Sequence, residues 1–167
     1  MHGIVRTDKM AGTNVASYCI SVRYAPSGTA TAIDNGNFAV PAGLVTGERE
    51  IYTASTPAAN SALDALVLIA SEPIDKKKKY NADGDFENAA GATCRAYRLH
   101  KGDIFSLSAD AFTLGDGVTP TVGTSILEAQ AGAKGLLVNS GTSGSTKIAS
   151  LIAKETFDGV ALFVFQV

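Results

Sequence analysis

The stretch KKKKYNADGDFENAAG, residues 76–91, concentrates the side chains of this chain that could do chemistry. Four consecutive lysines, Lys76 to Lys79, suit a phosphate backbone. Asp83, Asp85 and Glu87, two residues apart, suit a cation held by oxygen. Neither reading meets its own requirements. A nucleic-acid surface spreads positive charge over a face and interleaves it with stacking aromatics. Here only Tyr80 follows the lysines, and three carboxylates come next. Like charges in a row repel one another and keep a segment solvated. A helix–loop–helix calcium loop starting at Asp83 needs glycine at its sixth position and a bidentate glutamate at its twelfth. The chain has Asn88 and Cys94 there. The segment therefore reads as a polar, turn-rich flap at about 72–91, inserted between strands.

Other chemistry is equally thin. His2 and His100 share no recognised zinc spacing with Cys19 and Cys94. His100, in LHKGD, is expected as a surface imidazole in a turn between strands. GTSGS at 141–145 lacks the spacing and the strand-to-helix setting of a nucleophile elbow, and no Walker loop or dinucleotide fingerprint occurs. The reading is of a non-enzymatic protein with no catalytic, cofactor-binding or metal residues. The two cysteines, 75 residues apart behind an N-terminus without an apolar signal region, are expected as free and mostly buried thiols.

The elements around the flap are strands. At 167 residues one domain is expected, and an apolar share of 46% suffices for a core. Charged residues make up only 18%, with 17 glycines and no tryptophan, which suits short strands, small-residue turns and a surface covered by other protein. The net charge of −2 gives no general attraction for nucleic acid or an acidic membrane. No apolar run is long enough to span a bilayer, so a soluble chain made in the cytoplasm is expected. ASYCISVRYA alternates, NGNFAVPAG follows an Asn35-Gly36 turn signal, and EIYTAS, ATCRAYRL, GDIFSLS, SILEAQ, KGLLVN, TKIASLIAKE and VALFVFQV continue the pattern. LDALVLIAS, bracketed by Pro57 and Pro73, reads as a loop ending in a strand. VALFVFQV is apolar on both faces and should be central, with Phe163 and Phe165 buried together. The fold class is mainly β, an antiparallel β-barrel or sandwich with an extended N-terminal arm and a polar flap insertion.

Residues 1–17 form that arm, because they carry no clear period; residues 18–167 form a single β-rich domain. Such an arm could extend over a neighbour and bury the apolar anchors Ile4, Val5 and Met10, with Arg6 beside them, as a capsid-contact segment.

MHGIVRTDKMAGTNVAS, AIDNGNFAVPAGLVTGEREIYTASTP, RAYRLHKGDIFSLSADAF and TVGTSILEAQAG resemble the capsid auxiliary proteins of tailed bacteriophages, also called decoration or cement proteins. The likeness covers about two-thirds of the chain and rests on turn–strand elements rather than catalytic motifs. It implies a virion protein that binds the major capsid protein lattice, often as a trimeric homo-oligomer, and stabilises the head, with no nucleic-acid or membrane partner. A tail-tube or head–tail connector protein is the alternative, and a small-ligand-binding β-barrel module the second alternative.

Overall fold

The computed structural model describes residues 1–74, 83–132, 134–141 and 146–167, with the side chains of Asp8 and Asp83 outside that description. Among the described residues twelve strands form: β1 Val5–Lys9, β2 Cys19–Tyr24, β3 Phe38–Leu44, β4 Ile51–Ser55, β5 Val67–Ile69, β6 Thr93–Arg98, β7 Ile104–Ser108, β8 Thr113–Leu114, β9 Ile126–Ala129, β10 Leu136–Asn139, β11 Lys147–Phe157 and β12 Val160–Gln166. Between them lie only single 3-10 turns; no α-helix occurs among the described residues. The protein is mainly β.

Two bodies arise. Strands β2-β4-β3-β5-β6 close into a five-stranded barrel, and β1-β7-β12-β11-β9-β10-β8 make a seven-stranded sheet. All pairings are antiparallel except β2 with β4 and β10 with β8. Side chains alternate across a strand, and this alternation divides the apolar residues between two cores. On β3, β5 and β6, Ala39, Val67, Ile69, Cys94 and Ala96 fill the barrel with Val22, Tyr24, Ile33 and Ala54. Their neighbours Phe38, Leu68 and Tyr97 point outward, where they meet Phe105, Leu107, Leu127, Leu136, Val138, Leu151 and Phe165 of the sheet. The barrel wall is therefore also one layer of a sandwich, and the shared core joins both bodies. Small residues inside five strands are what that narrow lumen requires.

The expected strands appear where their alternation places them. LDALVLIAS becomes a 3-10 turn followed by β5. β12 lies between β7 and β11, a central strand as expected. Phe165 is fully buried, whereas Phe163 is only half-buried at the edge of the shared core.

Residues 1–17 fold differently from the extended arm that their lack of period suggests. β1 pairs with β7 as the edge of the seven-stranded sheet, through Val5↔Leu107 and Arg6↔Ser106, with an irregularity before Lys9↔Ile104. Five residues broken by that irregularity are too few for alternation to show in the sequence. Of the expected flap, residues 75–82, including Lys76 to Lys79 and Tyr80, lie outside the described residues. Its second half is not wholly solvated, because Gly84 and Asn88 are buried.

Candidate functional site

The four residues expected to reach a partner take different places. Ile4 and Met10 are buried, Met10 at 2% exposure, and Val5 packs on the shared core. The backbone of Ile4 exchanges two hydrogen bonds with Ser108, its N–H donating to Oγ and its carbonyl accepting from the Ser108 N–H, both at 2.9 Å. Just beyond β1, the buried Asp103 carboxylate accepts from the N–H of Ala11 and of His100, each at 2.8 Å. Only Arg6 faces outward, its guanidinium 4.3 Å from the ring centre of Phe157 and 3.7 Å from Glu155. Attachment through Ile4, Val5 and Met10 would require β1 to leave its sheet.

The start of the chain, the Asp34–Asn37 turn and the Gly84–Asn88 segment meet in a polar junction. Gly36, at φ 84°, occupies the left-handed position of that turn; a Cβ there would stand 2.8 Å from Ala111 Cβ. Three buried asparagines hold the junction. Asn35 donates Nδ2 to the carbonyl of Ser71 at 2.8 Å and accepts at Oδ1 from the Ser71 N–H at 2.9 Å. Asn88 donates Nδ2 to the Ile33 carbonyl and to Asn35 Oδ1 at 3.0 and 3.2 Å. Asn37 donates Nδ2 to the Ala111 carbonyl at 3.0 Å. Ile33 and Asn88 also exchange both backbone hydrogen bonds, an isolated antiparallel bridge. On this frame His2, Asp34 and Glu87 converge at intermediate burial, their ligand atoms within 4.8 Å of one another. His2 Nδ1 lies 2.8 Å from Asp34 Oδ1. Residues 2, 34 and 87 have no motif spacing, so only the fold reveals this cluster. Glu87 was one of the calcium candidates; Asp85 is not in the cluster, and the side chain of Asp83 lies outside the description.

One β-hairpin overreaches its neighbours. β11 and β12 pair through Phe157↔Val160 across Asp158-Gly159, both at positive φ (49° and 79°), a two-residue turn of the primed kind. β9 pairs with β11 only as far as Ser150, and β7 pairs with β12 only from Leu162. Residues 152–161 therefore project as a two-stranded ribbon with Phe157 44% exposed. The β3–β4 hairpin is different: β4 stays paired with β2 from Ile51 to Ala54, and only β3 beyond Ala39 has no second neighbour, where Leu44 is 50% exposed. A water-facing leucine and phenylalanine at such positions can bind apolar protein surface.

The two thiols are free. Cys19 pairs with Tyr97 and Val22 with Cys94, so the cysteines stand three positions apart along the β2–β6 ladder. They are on opposite faces and beyond disulfide reach. Burial pushes the Cys94 thiol up to about 11. His100 is half-buried rather than free in a surface turn, stacked on Tyr18 at 3.8 Å between ring centres. With Leu63, Asp64, Leu66 and Arg98 it lines an open groove of about 660 Å³.

The chain matches no family model, no curated protein and no solved structure.

Proposed function

We propose that this protein is a structural component of a phage virion, which binds the outer surface of the major capsid protein lattice and stabilises the head. The observation that carries this reading is the overreaching β11–β12 hairpin with Phe157 exposed, together with the exposed Leu44 on the open side of β3. Within its own chain the ribbon meets Arg6 and Ser106, and the exposed part of Phe157 offers an apolar surface that another protein can cover. The resemblance of NFAVPAGLV, KGDIF and TVGTSILEAQAG to capsid auxiliary proteins supplies the identity of that other protein. These stretches become β3, the turn into β7, and β9 with its following turn. The 14 basic and 16 acidic residues point to attachment by apolar contact rather than long-range charge.

The ribbon Ile152–Ala161 also suits a tail-tube subunit, in which one copy's hairpin lies on the next. Co-sedimentation with expanded capsids separates the two. The capsid reading expects the purified protein to remain a monomer or small oligomer and to pellet with shells. Rings or filaments formed without capsids, with no pelleting, would replace it by the tail-tube reading.

A further inference from the structure

We propose that His2, Asp34 and Glu87 bind one divalent transition-metal ion, of which zinc is the type. Their ligand atoms lie within 4.8 Å of one another. An ion at the centre of a triangle with that edge is at most about 2.8 Å from each corner, so side-chain rotations of under about 1 Å reach the 2.0–2.2 Å of zinc–nitrogen and zinc–carboxylate bonds. One imidazole with two carboxylates is a zinc or manganese donor set. Calcium instead takes six to eight oxygens, which this site does not present.

The backbone brings the ligands together independently of any ion. The His2 N–H donates to the Gly84 carbonyl at 2.8 Å, which fixes the first ligand against the segment that carries the third. The isolated Ile33–Asn88 bridge fixes the other two: Asp34 follows Ile33 and Glu87 precedes Asn88, so the two carboxylates stand as a close pair just past the bridge. Like charges opposite one another in such a pair are destabilising. A dication between them reverses the sign of that interaction. All three side chains are partly open to solvent, which gives an ion entry and leaves room for water on its remaining positions. Bound there, the ion would tie the start of the chain to the turn before β3 and to the segment before β6.

The test uses the full chain, freed of metal and then titrated with Zn²⁺, Mn²⁺ or Ca²⁺ while thermal unfolding is followed. Zn²⁺ at a hundredfold excess over its dissociation constant should raise Tm by about 5–10 °C. One equivalent should bind, and Ca²⁺ should give no comparable rise. Either His2→Gln or Glu87→Gln should abolish the zinc-dependent rise while leaving the metal-free Tm within a few degrees. A His100→Gln, Cys19→Ser control should keep it. Co²⁺ should give one visible absorption band set that disappears in His2→Gln. No rise in the unaltered chain, a larger rise with Ca²⁺, or a zinc rise that survives both ligand variants would each overturn the site.

Discussion

Phe165 and Phe163 are two residues apart on one strand face, yet their surroundings differ. Phe165 is fully buried, 6.1 Å from both Phe105 and Phe112 between ring centres. Phe163 meets Phe112 edge-on at 5.3 Å and keeps part of its ring in water beside Lys154. Phe165→Ala should therefore cost about 3–5 kcal/mol in urea unfolding, and Phe163→Ala less than half of that. Equal losses would contradict the assigned burial. Cys94 makes a pH prediction. Its folded pKa, about 11, lies above that of an unfolded thiol, so between about pH 9 and 11 the unfolded chain holds fewer protons than the folded one. The stability it contributes is present below about pH 9 and is lost as pH rises through 11. Tyr97, raised mainly by burial, acts in the same direction. The alkaline loss from Cys94 should reach at most about 3 kcal/mol, and Cys94→Ala should flatten the slope of stability against pH in that window. An unchanged slope would show that another group carries it. Alternation made the buried faces of these residues legible in the sequence. The meeting of His2, Asp34 and Glu87 was not legible, because tertiary structure alone unites positions 2, 34 and 87.

Among the elements, the regular strands were readable because period two holds through β2 and β7, while β12 is a continuous apolar run of strand length. The Asp158-Gly159 and Asn35-Gly36 pairs marked turns that only residues tolerant of positive φ can make. β1 and the two-residue β8 were not readable, since neither is long enough for a period. β1 carries the largest consequence. Met10, next to its end, belongs to the shared core with Tyr97 and Phe38. Met10→Ala should therefore destabilise by about 2–5 kcal/mol. Removal of residues 2–12 should lower Tm severely, because an edge strand, two buried side chains and the Ala11–Asp103 hydrogen bond go with it. A truncated protein that melts like the intact one would mean that β1 is an appendage after all. The junction adds a second element-scale dependence, since the Asp34–Asn37 turn and Asn88 are held through one asparagine network rather than separately.

At the scale of the molecule, a barrel and a sheet share one core, and the surface left over has little charge, one projecting ribbon that carries Phe157, and an exposed Leu44 on β3. The proposed role follows from that surface, so its most direct test removes these two side chains and spares the core. Leu44→Ser with Phe157→Ser deletes both exposed side chains, neither of which belongs to the core clusters. The double variant should therefore fold, with a stability change within about 1 kcal/mol. The measurement is the fraction of protein that pellets with expanded capsids, for the unaltered chain and the double variant, at low and at moderate salt. The account predicts that the unaltered chain pellets nearly equally at both salts, because no counterion-release contribution is present, and that the folded double variant loses at least about tenfold in affinity. It would be contradicted by a double variant that binds as well as the unaltered chain, or by binding that collapses as salt rises.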